Sequence, residues 1–153
     1  MKKPPGASLD RNPATAWLST PETKANDCSI AIQPRKGADL RSFVLLNGAW
    51  GSQEQFDATA RIKRLKIDYT VRYLEGPKAE TTERILPDRR FDERALRFPL
   101  YYADLINLNE NSEGTLEDVK ITVLDRYNSS GNRPLAISEI YLFGSEPDKA
   151  AKR

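Results

Sequence analysis

From Leu65 onward, apolar and polar residues alternate: Leu65, Ile67, Tyr69, Val71 and Tyr73 share one parity, and Lys66, Asp68, Thr70 and Arg72 the other. A period of two turns one set of side chains toward a core and the other toward water, which predicts a half-buried strand. A second alternation sets Val119, Ile121 and Val123 against Lys120 and Thr122, and a shorter one runs through Cys28, Ile30 and Ile32. More continuous apolar runs at 43–46, 100–108 and 137–143 predict central strands packed on both faces. Turn chemistry separates the runs: Asn47-Gly48, Glu75-Gly76-Pro77 and the stretch 128–132 (Asn-Ser-Ser-Gly-Asn). The spacing predicts roughly seven or eight strands, with Arg72-Tyr73 and residues 81–86 forming a hairpin across Gly76-Pro77. Helix signals are weak, one turn within 53–60 at most. The economical reading is a single all-β domain built as an antiparallel sandwich.

Length and charge narrow the function. At 153 residues the chain suits one domain with its own core. The 24 Lys and Arg against 22 Asp and Glu leave a net charge of +2, which argues against a nucleic-acid partner, whose binding proteins are usually lopsided in charge. The absence of histidine removes the Ser-His-Asp and Cys-His catalytic designs and imidazole-based zinc sites. The lone Cys28 permits no intrachain disulfide, and its place on an alternating strand reads as core and not as a nucleophile. No carboxylate spacing singles out a general acid and base, and no Gly-rich phosphate loop is present, so no enzyme is expected. No apolar run approaches the ~18 residues of a spanning helix, so no membrane insertion is expected. The basic start, Met1-Lys2-Lys3, precedes no apolar stretch and is not expected to act as a signal peptide.

Two distant blocks carry a family resemblance. Residues 9–17, Leu-Asp-Arg-Asn-Pro-Ala-Thr-Ala-Trp, look like the loop L-D-G-(N/D)-P-x-T-x-W near the start of discoidin-like, galactose-binding-like domains, with Arg11 in place of the usual Gly. Residues 136–144, Ala-Ile-Ser-Glu-Ile-Tyr-Leu-Phe-Gly, resemble the strand that closes the same fold. Between them, 43–48 and 61–67 resemble the middle of a bacterial branch, the NADase-type glycan-binding domain. The resemblance implies a jelly-roll sandwich of about eight strands that binds ligands with loops at one end, usually without catalysis and usually within larger extracytoplasmic proteins. The expected layout is an N-terminal extension at 1–8, the sandwich at 9–145 and a charged tail or linker at 146–153. The expected partner is a glycan or cell-surface carbohydrate, the alternative a protein partner bound by a sandwich without sugar affinity.

Candidate site residues follow. The resemblance places Asp10, Asn12, Thr15 and Glu139 around a structural calcium ion, a hard cation that takes carboxylate, amide and hydroxyl oxygens. The alternative is a metal-free loop in which these groups bond backbone amides, or Arg11 pairs with Glu139. Trp17 is expected at a packed edge. Trp50, in the Gly-bounded loop 48–51, could stack on a sugar ring beside Gln53 and Gln55, or fold back onto the core. Arg126, Tyr127 and Asn128 open the loop before the closing strand, either a recognition surface or an ordinary connection. The run Arg84, Arg89, Arg90, Arg94 and Arg97 is interleaved with Asp88, Asp92 and Glu93, and reads as a solvated segment or as an anion-recognising patch.

Overall fold

The structure, a computed structural model, describes residues 16–19, 28–34, 39–108, 114–130 and 133–145. Eight strands are present among them: β1 (Trp17–Leu18), β2 (Ser29–Ile32), β3 (Asp39–Asn47), β4 (Arg61–Tyr73), β5 (Gly76–Ile85), β6 (Asp104–Asn107), β7 (Thr115–Tyr127) and β8 (Ala136–Ser145). They form two antiparallel sheets of four, ordered β1-β8-β3-β6 and β2-β7-β4-β5. The chain is therefore an all-β antiparallel sandwich with the expected strand number. One short helix, α1 (Gln53–Ala58), lies between β3 and β4; its first turn is capped by the Ser52 hydroxyl, which accepts from the Gln55 N–H at 3.1 Å.

The alternating residues do what their period predicts. Leu65, Ile67 and Val71 of β4 meet Ile121 and Val123 of β7, Ile30 of β2, Phe43 and Leu45 of β3 and Ile106 of β6 in one core between the sheets. Cys28 is part of it, with no exposed surface, and burial pushes its thiol up to about 11 against a small opposing pull from Arg126. Trp17 is buried in the same core, as expected of a packed edge.

Two expectations are corrected. The hairpin turn is tighter than Gly76-Pro77 implied: Tyr73 pairs with Gly76 across Leu74-Glu75, and Pro77 lies inside β5 opposite Arg72. Proline is tolerated there because β5 is an edge strand and Pro77 owes no N–H to a further neighbour. The apolar run 100–108 is not a central strand. It divides into a 3₁₀ turn at Pro99–Tyr102 and the short edge strand β6, leaving Leu100, Tyr101 and Leu105 exposed. Pro99 is the cause, since its fixed φ and missing N–H suit the first turn of a helix and oppose a strand ladder.

A second, smaller core lies on the outer face of the β1-β8-β3-β6 sheet. Leu46, Trp50, Phe56 and Ala95 form it, with Phe91, Tyr102 and Ala103 packed against them. Residue 46 is on the opposite parity of β3 from Phe43 and Leu45, so this cluster sits outside the sandwich proper.

Candidate functional site

Three connections gather at one end of the sandwich. The β3–β4 link (48–60) leaves from Asn47, the β5–β6 link (86–103) leaves from Ile85 beside Arg64, and the β7–β8 link leaves from Tyr127, which pairs with Arg61. Asn47 fixes the first departure: its amide donates to the Ile62 carbonyl and its oxygen accepts from the Ile62 N–H, both at 2.8 Å. The next residue, Gly48, has φ +110°, and a Cβ there would press on Phe56 and Arg61 at 3.1 Å, so no side chain fits without strain.

Between the first two connections lies an open cleft of about 560 Å³, lined by Gln53, Phe56, Asp57, Arg61, Asp88, Arg89, Arg90 and Phe91. Its polar groups are held by one another. The Arg61 guanidinium lies 4.3 Å from the Phe56 ring centroid and donates to one Asp88 oxygen from Nη2 at 2.8 Å and from Nε at 3.3 Å. Arg89 donates to Asp104 at 2.8 Å, tying the 86–103 segment to the start of β6. Burial raises the Asp104 carboxyl above its ordinary range, while the Arg89 hydrogen bond and charge pull it back. Gln53 donates to both Asp57 oxygens at 3.0 Å. Arg90 is exposed and makes no ion pair among the described residues.

Trp50 does not offer a stacking face. It has no exposed surface, and its indole lies 4.8 Å from Phe56, 5.5 Å from Tyr102 and 5.8 Å from Phe91, centroid to centroid. Its Nε1–H donates to the Asn47 carbonyl at 2.8 Å and its backbone N–H to the Ser138 hydroxyl at 3.0 Å. A Gly-bounded loop lets the ring turn inward because the 86–103 segment supplies apolar neighbours that the local sequence cannot show.

The other sequence candidates divide. Gln53 reaches the cleft, whereas Gln55 is exposed on α1 and is not among the lining side chains. Tyr127 and Asn128 are half-buried and bond to the backbone of neighbouring connections. The Tyr127 hydroxyl donates to the Leu86 carbonyl at 2.7 Å, and the Asn128 amide donates to the carbonyls of Asp57 at 2.9 Å and Thr59 at 3.0 Å. Asn128 has φ 56°, and its oxygen accepts from Arg133, so both ends of its amide are engaged. Arg126 is half-buried on β7, opposite Ile62. The Tyr127 and Asn128 bonds buttress the two segments that flank the cleft, the start of 86–103 and the end of α1. Asp10, Asn12 and Thr15 lie outside the described residues; the fourth member of that set, Glu139, is wholly buried on β8 opposite Leu46. Asp57, Arg61, Asp88 and Phe91 were not singled out as binding residues; the usable signal was the charged run 84–97, two of whose arginines, Arg89 and Arg90, line the cleft.

No family model matches the sequence, and no curated protein matches it significantly. Several solved structures share its fold. A module named CBM32-3, from a family 31 glycoside hydrolase of Clostridium perfringens, superposes with a TM-score of 0.57 at 16% identity over 91% of this chain and 81% of the module. An F5/8 type C domain from Bacteroides fragilis superposes with a TM-score of 0.53 at 17% identity, over 89% of this chain and 77% of that one. The arabinofuranosyltransferase AftD from mycobacteria contains a similar region (TM-score 0.53, 18% identity), matched over 92% of this chain. This chain spans only 9% of that enzyme's length. The chain thus has the discoidin-like fold.

Proposed function

We propose that this discoidin-like sandwich is a non-catalytic glycan-binding module and that the cleft between α1 and residues 88–91 takes the sugar. One observation carries the reading: at the end where the connections converge, an open cleft is lined by carboxylates, guanidinium groups and an amide already fixed by mutual contacts. Sugar hydroxyls are recognised by such planar, two-pronged groups, and groups held in place before binding lose little entropy when it occurs. Phe91, half-buried at the rim, supplies the apolar face that aliphatic ring hydrogens need. The similarity to a CBM32 module of a glycoside hydrolase supports the same class of ligand. Binding is expected without chemistry, since histidine is absent and Cys28 is buried with a raised pKa. An extracytoplasmic bacterial protein is the setting we favour; among the described residues no helix is long and apolar enough to cross a membrane.

Calcium belongs to the same proposal. Glu139, wholly buried on β8, offers carboxylate oxygens of the kind a hard cation takes, and the resemblance of residues 9–17 and 136–144 to discoidin-like domains supports the ion. Asp10, Asn12 and Thr15 would complete an oxygen shell, and the ion would tie the N-terminal block to β8 without taking part in binding. Chelation should then lower the melting temperature, and an unchanged midpoint would count against the ion.

The test of the cleft is a glycan array read with the wild type and with Arg90→Ala and Asp57→Ala. We expect sugar hits that both substitutions weaken by roughly tenfold or more while the melting temperature stays put. Hits that survive both changes would move the site elsewhere; no hits at high protein concentration would overturn glycan binding altogether.

A further inference from the structure

We propose that the ridge formed by residues 96–105 is a self-association surface whose occupant is the same ridge of a second copy of this chain. This stands apart from the glycan reading, which concerns the cleft. The segment that closes the aromatic cluster is apolar on both sides. Ala95 and Tyr102 turn inward toward Trp50, while Leu96 (38% exposed), Phe98 (52%), Leu100 (55%) and Tyr101 (82%) turn outward. The ridge is continuous. The 3₁₀ turns at Glu93–Leu96 and Pro99–Tyr102 pack on each other, the second also packs on β3, and the Phe98 and Tyr101 rings meet edge to face at 6.3 Å. It runs on to Leu105 (60% exposed), which pairs with Val44 on the outer face of the sheet.

Area and charge point to a second copy. The outward side chains expose roughly 500 Å² of mostly apolar surface, which approaches the apolar share of one side of a standard protein interface. A patch of about this size is among the largest that a monomer leaves open, and such patches are often functional. Asp92 and Arg94 pair with each other, and the flanking charges outside that pair are of both signs, the exposed Glu93 and Arg97. A two-fold contact sets these two against their own copies, so each acid can face a base. An anionic bilayer would be matched by basic residues alone. The net charge of +2 opposes pairing only weakly.

Sedimentation velocity of the full chain, from low to high micromolar concentration, tests the proposal. We expect a reversible dimer, with Tyr101→Glu and Leu105→Glu each weakening it by about tenfold or more, because each buries an unpaired carboxylate twice over. Unchanged far-ultraviolet circular dichroism and melting temperature would show that the exposed positions left the fold intact. A wild type that stays monomeric at the highest concentration overturns the proposal, and so does a dimer that persists in both variants. Wild-type co-sedimentation with phosphatidylserine-containing vesicles, abolished by the same substitutions in an otherwise monomeric protein, would reassign the ridge to lipid.

Discussion

The two cores of this molecule are built differently. The core between the sheets is mainly aliphatic and drawn from seven of the eight strands, its inward rows changing parity where the β3–β8 and β4–β7 ladders shift register, with Cys28 sealed inside it. The core on the outer face of the β1-β8-β3-β6 sheet is aromatic, drawn from loops, α1 and a 3₁₀ turn, and one strand contributes only Leu46. The first holds the sheets together; the second holds the connections over the sheet and so shapes the cleft. Polar groups are also treated differently. The thiol in the sandwich core is pushed up, whereas Asp92 at the rim of the aromatic cluster is held well below the usual carboxylate range, chiefly by hydrogen bonds from Arg94, with Tyr102 adding another.

The contrast can be broken most directly at Trp50. Trp50→Ala removes the ring around which Phe56, Phe91 and Tyr102 pack, and should cost about 3–5 kcal/mol in chemical denaturation, no less than Ile121→Ala in the other core. A loss below about 1 kcal/mol would show that the aromatic cluster is a cover and not a second core.

A pH titration sharpens the difference in dryness. Between pH 9 and 11 the unfolded Cys28 thiol has given up its proton while the folded one keeps it, so rising pH favours the unfolded state and stability falls. The expected loss across that window is roughly 2 kcal/mol, and Cys28→Ala should remove it. Tyrosines with raised pKa values titrate nearby, so the difference between wild type and variant is the quantity to read. Equal slopes in the two proteins would refute a sealed thiol.

Asn128 tests how far the cleft depends on its buttress. Asn128→Ala loses the bonds to Asp57 and Thr59 and leaves a Cβ residue at positive φ, at about 1–2 kcal/mol. Asn128→Gly should recover the backbone part alone, and identical melting temperatures for the two would contradict the strain argument. The smallest effect is expected at Asp88, which is half exposed: Asp88→Ala should cost under about 1 kcal/mol while loosening Arg61 and lowering glycan affinity. A large loss of stability with intact affinity would make that pair part of the fold and not of the site.

Legibility in the sequence follows the same division. The strands around Leu65 to Tyr73 and Val119 to Val123 could be read because period two needs only neighbours along the chain to be compared. Trp50 could be read only as a Gly-bounded aromatic, since the partners that bury it, Phe91 and Tyr102, are about forty or more positions away. Asn128 looked like exposed turn chemistry for a similar reason; its hydrogen bonds go to α1 and the residue after it, far upstream. The charged run 84–97 was visible as a run, but which of its arginines line a cleft depends on how the 86–103 segment folds back across the sheet.

Local pattern therefore determined the all-β sandwich, its inward-facing rows and the absence of histidine chemistry, because each depends on residue type and parity alone. Tertiary structure decided which aromatic rings are buried, which polar groups are consumed in bracing connections and which remain open in the cleft. The physical reason is that connections carry no period: their side chains find direction only from the segment that packs on them, and here that segment arrives from the opposite sheet.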